Sequence, residues 1–130
     1  SALILVGKKM PENRRDDMCT KNELNSILQK LTQIYRSVYG ENLVQVILYG
    51  SYARGDYHTD SDVDVVAIVH GDRKTLQQQL KKVWDSSCEL ELEYDTILSP
   101  TVIPYEEFKQ YQTVLPYYRN ISQEGVVISA

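Results

Sequence analysis

Three aspartates on alternate residues stand at the start of an apolar run near the middle of the chain. They are Asp60, Asp62 and Asp64, within the segment LYGSYARGDYHTDSDVDVV. Carboxylates placed this close repel one another, and aspartate is disfavoured in strands. We therefore expect a compensating positive charge at this segment, and a divalent cation is the most direct candidate.

A calcium loop of the EF-hand type does not account for the three aspartates. They match the first three ligand positions of such a loop. The position that requires glycine is Val65, however, and the position of the closing glutamate is Gly71. The sequence also lacks the glycine-rich consensus of a P-loop or of a dinucleotide fold.

A second candidate for chemistry is Gly50-Ser51, where a strand is predicted to end and a short helix to begin. Amide groups at the start of a helix and a serine hydroxyl can bind an anion, and glycine lets a phosphate approach the backbone. The alternative is that Ser51 only caps the helix. Arg54 is placed either to meet a phosphate or to lie exposed on the short helix.

The spacing of the aspartates favours a metal site over an isolated turn. Asp62 and Asp64 are predicted to share one face of a strand, about 6.6 Å apart, and two such carboxylates can share a pair of cations. A third carboxylate is expected from a following strand over residues 88–98. Its candidates alternate along one face, namely Glu89, Glu91, Glu93 and Asp95. A solvent-exposed face of the sheet accounts for Glu89 and Glu91. The spacing leaves Glu93 and Asp95 as alternatives for the third carboxylate.

The elements around these residues follow from periodicity and from capping signals. A capping box at Thr20 begins a helix that Gly40 ends. Strands are predicted over residues 44–49, 63–70 and 88–98, with the short helix ending at Gly55. Three more helices are predicted in the segments GDRKTLQQQLKKVWDSS, YEEFKQYQ and PYYRNISQEG.

This order of elements predicts a small α/β (α+β) domain with one mixed sheet flanked by helices. The domain is predicted to span residues 20–130. Residues 1–19 are predicted to be an N-terminal arm or loop. Their apolar start has two further interpretations, an edge strand or an arm that docks on a partner.

Composition limits the classes of function. The chain has 130 residues and a formal net charge of -4, which argues against stable nucleic-acid binding. Cys19 and Cys88 lie in unrelated settings without the spacing of a zinc site, so two reduced thiols are expected. The five apolar residues at the start do not form a signal peptide, and no run is long enough to span a membrane. We therefore expect a cytoplasmic protein.

The segment GSYARGDYHTDSDVDVVAIV resembles the minimal nucleotidyltransferases of the DNA polymerase beta superfamily. Their pattern is Gly-Ser, about ten residues, Asp-x-Asp on the next strand, and a further Asp one strand later. It falls on Gly50, Ser51, Asp62 and Asp64, and ELEYDTILSP resembles the strand with the third carboxylate, which places it at Asp95. The tail FKQYQTVLPYYRNISQEGVVI is also similar to small bacterial members, so the resemblance covers roughly residues 20–128.

The resemblance implies a polymerase-beta-like fold and a metal-dependent transfer of a nucleoside monophosphate, AMP from ATP or another triphosphate. The triphosphate would bind at Gly50, Ser51 and Arg54. Two Mg²⁺ ions would bind at Asp62, Asp64 and Asp95, with Asp95 also acting as the base toward the acceptor hydroxyl.

The resemblance further implies an antitoxin whose partner is a HEPN-type helical toxin, with a partner tyrosine as the acceptor. Two alternatives stay open at this point. One is an antitoxin module that binds its partner without catalysis. The other is a nucleotidyltransferase for small molecules such as aminoglycosides. A homodimer, a partner or the N-terminal arm would supply any larger acceptor surface.

Overall fold

The computed structural model describes residues 4–6, 21–55, 57 and 61–129. Five strands form one sheet in the order β1-β5-β2-β3-β4, in which only β3 and β4 are parallel. The mixed sheet with flanking helices that the sequence predicted is therefore confirmed. The elements are β1 (Ile4–Val6), α1 (Lys21–Tyr39), β2 (Leu43–Tyr49), α2 (Ser51–Arg54), β3 (Val63–Val69), α3 (Arg73–Tyr94), β4 (Leu98–Pro104), α4 (Tyr105–Tyr111), α5 (Pro116–Glu124) and β5 (Val126–Ser129).

The helices α1 and α3 cover one face of the sheet. Apolar residues at helical spacing give α1 a continuous buried stripe, which begins at Leu24 and includes Tyr35. These side chains form one core with the β3 residues Val63, Val65 and Ala67 and with α3 residues such as Leu80. This face of β3 is therefore packed against the helices.

The opposite face of the sheet is covered at one end only by α4 and α5. A second core there joins Val66 and Ile68 of β3 with side chains of β2, β4 and the two helices, namely Ile47, Ile103, Phe108, Tyr118 and Ile121. Because side chains alternate along a strand, Asp64, two residues before Val66, points to this same face. The two apolar cores thus leave a polar region at the beginning of β3.

The buried side chain of Tyr35 connects α1 to the two parallel strands. Its hydroxyl lies 2.8 Å from the carbonyl oxygen of Thr101 and 3.2 Å from that of Val65, and it donates to both. Burial raises the pKa of this tyrosine well above its usual value. The contact holds β3 and β4 in register next to the polar region.

Most predicted boundaries agree with the structure. The helix α1 ends at Gly40, whose φ of 59° is the left-handed conformation that glycine adopts readily; the predicted cap at Thr20 lies outside the described residues. The short helix α2 ends at Gly55, as predicted. Residues 4–6 form an edge strand paired with β5, which confirms one interpretation of the apolar start. The domain boundary at residue 20 stays a prediction.

The prediction of a strand over residues 88–98 is wrong, because α3 continues to Tyr94. The Leu-Glu alternation looked like a strand, but Leu90 and Tyr94 continue the helical stripe of Leu76, Leu80 and Val83. Leu92, which the alternation placed on the apolar face, is 86% exposed. Leucine and glutamate are also good helix formers, which favours continuation of the helix.

The strand that replaces the predicted one is β4, which contains two prolines. Pro100 and Pro104 lie at the edge of the sheet, where proline is tolerated. The indole Nε1 of Trp84 donates to the carbonyl oxygen of Pro100 at 2.9 Å, so α3 also covers part of this edge. Among the described residues, no helix has the length and apolar character to cross a membrane.

Candidate active site

The turn between β2 and α2 lies against the carboxylate of Asp64. Gly50 has φ 77° and ψ -154°, a conformation that only glycine adopts without strain. A Cβ atom added there would lie 2.3 Å from Oδ2 of Asp64. The glycine is therefore required twice, once for its backbone conformation and once for the space that the carboxylate occupies.

Asp64 and Asp62 form a pair of carboxylates at the beginning of β3. Asp64 pairs with Tyr49 of β2 across the antiparallel ladder, and both aspartates are half-buried. Burial raises the pKa of Asp64, and the charge of Asp62 raises it further, while Arg54 lowers it. The pair is thus held together in spite of repulsion, which is the condition that a bound cation would relieve.

Hydroxyl groups face the carboxylate pair from β4. Ser99 pairs with Asp64 and Thr101 with Val66 in the parallel register, so both side chains point to the same face as Asp64. The Oγ of Ser99 donates to Oδ2 of Asp62 at 3.1 Å. The strand contains no acidic residue, and the hydroxyl of Ser99 holds the place beside the pair where a third carboxylate was expected.

The structure does not bring Asp95 or Glu93 to this pair. Asp95 caps the end of α3 with a φ of 49° and is exposed, so its predicted position on a strand is wrong. Glu93 forms an ion pair with Lys30 at 3.0 Å, and its pKa is lowered mainly by the hydrogen bond from that lysine. Glu93 belongs to α3 and Asp95 follows its last residue, and this helix packs on the face opposite Asp64.

The remaining predicted binding residues lie on α2. Ser51 is the first residue of this helix and is half-buried. Arg54 is exposed on its last turn, and its Nη1 lies 4.0 Å from Oε2 of Glu124 at the end of α5. Arg54 also acts electrostatically on Asp64, so the structure brings α2, the carboxylate pair and the end of α5 together. Asp60 lies outside the described residues.

Sequence reasoning missed three residues of this region, namely Ser99, Thr101 and Tyr117. Tyr117 packs edge-on against Tyr49, with ring centroids 6.0 Å apart. The pattern SPT in β4 alternates polar residues on one face, but it is informative only once β4 is placed over 98–104 and paired with β3. No sequence pattern indicates Tyr117 as a site residue, because its position depends on how α5 packs on the sheet.

The donor set fits one magnesium ion better than a cluster of ions. The described part of the chain contains no group of three or more His, Cys, Asp or Glu side chains that could hold a metal. Mg²⁺ is commonly bound by one or two carboxylates, with water and substrate phosphates completing its six oxygen ligands. Asp62 and Asp64, with the adjacent Ser99 hydroxyl, suit that mode of binding.

The sequence is similar to a protein family and to known proteins. A family model described as a nucleotidyltransferase domain matches residues 12–128. Two relatives from Methanocaldococcus jannaschii are provisionally named protein adenylyltransferases. MJ0141 is 35% identical over 80 residues, which cover 62% of this chain and 79% of the relative. MJ0604 is 28% identical over 101 residues, which cover 78% of this chain and 93% of the relative.

Two solved structures are similar to this chain at low identity. A mutant of the toxin-antitoxin MntA-HpeT has a TM-score of 0.49 and 17% identity, over 76% of this chain and 69% of that one. A toxin-antitoxin with AMP-PNP has a TM-score of 0.47 and 20% identity, over 80% of this chain and 69% of that one.

Proposed function

Because the chain belongs to the family of nucleotidyltransferase domains, we propose that it transfers a nucleoside monophosphate, AMP from ATP, to a tyrosine hydroxyl of a partner protein. The observation that carries the proposal is the contact between the Gly50 turn and the Asp64 carboxylate. It joins a backbone suited to phosphate with a carboxylate pair suited to Mg²⁺, at one point of the sheet.

The residues of the chain have separate roles in this proposal. The Gly50-Ser51 turn holds the β- and γ-phosphates through backbone N–H groups and the serine hydroxyl. Arg54, next to Asp64, balances the negative charge of the phosphates. Ser99 fixes the orientation of Asp62 through its hydrogen bond. Alignment and charge neutralisation supply most of the catalysis in phosphoryl transfer, so such positioning is the main task of the protein.

Asp62 and Asp64 would hold Mg²⁺ in this site. The bound ion neutralises phosphate charge and polarises the phosphorus centre. Two ions, as the resemblance implied, would need ligands beyond this pair, from the nucleotide or from residues outside the described ranges. Asp95 lies on the α3 side of the sheet, so we assign it no ligand role.

The proposed acceptor is a tyrosine of a partner protein. Support for a protein acceptor comes from the names of the two Methanocaldococcus relatives. A HEPN-type helical toxin, neutralised by modification of a tyrosine, is the partner that the sequence resemblance implies. A protein partner would also find exposed apolar side chains at the start of α5, since Val114, Leu115 and Tyr117 are between 42% and 65% exposed.

The first test measures ligand-induced thermal stabilisation with each of the four nucleoside triphosphates, with and without Mg²⁺. A ligand that binds only the folded state raises the melting temperature. We expect a Mg²⁺-dependent shift in the wild type that Asp64→Asn abolishes. Asp95→Asn and the exposed Asp85→Asn are matched controls that should keep the shift, because neither residue forms a cluster with the pair among the described residues.

The second test assays transfer of labelled nucleotide from the triphosphate that gave the shift. Incubation with a co-expressed partner protein should label that partner at tyrosine, and the label should depend on Asp64. Labelling of an aminoglycoside or another small hydroxyl compound instead would replace the proposed acceptor. A loss of the shift in Asp95→Asn, equal to that in Asp64→Asn, would contradict the exclusion of Asp95 from the ligands.

A further inference from the structure

Tyr117 brings a phenolic hydroxyl of the chain itself to the candidate active site. It is the second residue of α5 and is 47% exposed. Its ring packs edge-on against Tyr49, which is the partner of Asp64 in the β2–β3 ladder. The side chain therefore lies on the face of the sheet that carries the carboxylate pair.

The polar end of Tyr117 is fixed next to the same strands. Its side chain interacts with the side chain of Thr101 and, electrostatically, with the carboxylate of Asp64. Thr101 is two positions beyond Ser99, the residue that pairs with Asp64. Ser99 and Thr101 lie on one face of β4, and the phenolic oxygen of Tyr117 thus lies on the same face of the sheet as the carboxylate of Asp64.

We propose that Tyr117 is an acceptor in its own right, and that the chain transfers a nucleoside monophosphate to its own Tyr117 hydroxyl. This inference rests on the proposed function, since it uses the same nucleotide and the same carboxylates. The phenolic oxygen attacks the α-phosphorus and forms a new O–P bond. The bond from that phosphorus to the oxygen bridging the β-phosphate breaks, pyrophosphate leaves with the electron pair, and the phenolic proton passes to water.

Four of the other tyrosines are less suited to this step. Tyr118 donates to Glu107 at 2.7 Å and accepts from Arg73 at 2.9 Å, so its hydroxyl belongs to an ion-pair cluster. Tyr35 and Tyr39 are buried and donate to backbone carbonyls. Tyr94 lies on α3, away from the site, where its hydroxyl accepts from Lys30.

Modification of Tyr117 would have a direct effect on the site. A phosphodiester-linked nucleoside at this hydroxyl would occupy the space beside Asp64 and add a negative charge near the pair. A second acceptor tyrosine would then be excluded from the same position. Self-modification would therefore end the activity of a chain that meets nucleotide before it meets its partner.

The experiment incubates the isolated full chain with Mg²⁺ and each triphosphate, and measures its intact mass and then its modified peptides. We expect one added nucleoside monophosphate per chain, located at Tyr117 and absent from Asp64→Asn. Tyr117→Phe should lose at least nine-tenths of the label. Tyr111→Phe, which removes a hydroxyl from an exposed tyrosine of α4, should keep it. The rate per chain should not change over a tenfold dilution, because the transfer occurs within one molecule.

Several outcomes would overturn the inference. Label on another residue, label retained in Tyr117→Phe, or a rate per chain that falls with dilution would each do so. No label in a sample whose melting temperature still rises with Mg²⁺ and nucleotide would remove Tyr117 as acceptor and leave the proposed function intact. No rise in melting temperature with any triphosphate would instead remove the proposed function, and the self-transfer with it.

Discussion

Replacement of Gly50 by alanine tests whether the turn positions the Asp64 carboxylate. The new Cβ would lie 2.3 Å from Oδ2 of Asp64, whereas real Cβ atoms essentially never approach another atom closer than 3.0 Å. The carboxylate must therefore move by about 0.7 Å, which exceeds the tolerance of about 0.5 Å for productive geometry. Displacements of about 1 Å can cost roughly 100-fold in rate. We expect a loss of this order in transfer, measured as kcat/KM.

The same substitution also strains the backbone, and that effect must be separated from the displacement of Asp64. A non-glycine residue at φ 77° and ψ -154° costs about 1–3 kcal/mol of folding stability. Gly40→Ala is the matched control, because its φ is 59° and an added Cβ would meet no atom within 4 Å. Urea unfolding measures the stability of both variants.

We expect the control to lose stability but to keep wild-type transfer and nucleotide-induced stabilisation. The reasoning is refuted if Gly50→Ala keeps both of these properties while losing stability to the same degree as Gly40→Ala. In that case the carboxylate does not need the position that the glycine leaves open for it.

Three further predictions test the rest of the structure by urea unfolding. The pKa of Asp64 is raised in the folded state, so its ionisation destabilises the fold as pH rises through that pKa. Asp64→Asn should therefore be more stable than wild type at neutral pH. The difference in the free energy of unfolding should vanish below about pH 4, where the carboxyl group of the wild type is protonated in both states. Tyr35→Phe should cost about 1–3 kcal/mol, since two carbonyl groups lose a buried donor; an unchanged free energy of unfolding would contradict that contact. Leu90→Ala should cost about 2–5 kcal/mol, whereas Leu92→Ala should stay within about 0.5 kcal/mol, and equal losses would restore the strand prediction for this segment.

The parts of the fold that the sequence predicted correctly depend on local signals. The helix α1, the short α2 and the strand β3 each have a periodic pattern of apolar residues or a glycine at the boundary. These signals are visible within a few residues of sequence. The segment 88–98 was misassigned because an alternation of Leu and Glu satisfies the strand period over a short window. Only the longer window that begins at Leu76 shows the helical stripe.

The candidate site was predictable in part for the same reason. Gly50, Asp62 and Asp64 lie close together in sequence and belong to one resemblance, and the structure brings them together. The error in the third strand carried Asp95 into the predicted ligand set. Ser99, Thr101 and Tyr117 enter the site through the pairing of β4 with β3 and the packing of α5, which are tertiary features without a local pattern.

The prolines of β4 determine how other chains can add to the sheet. An exposed strand edge is a template for another strand, which binds through free backbone groups. On the β4 side, Pro100 and Pro104 lack N–H groups, and Trp84 already donates to the carbonyl oxygen of Pro100. Strand addition is thus disfavoured beside the candidate carboxylates and left to the β1 side, four strands from β4 in the sheet order. Under the proposed function, an acceptor protein would therefore be recognised near the site through side chains, which keeps recognition separate from the backbone pairing that leads to aggregation.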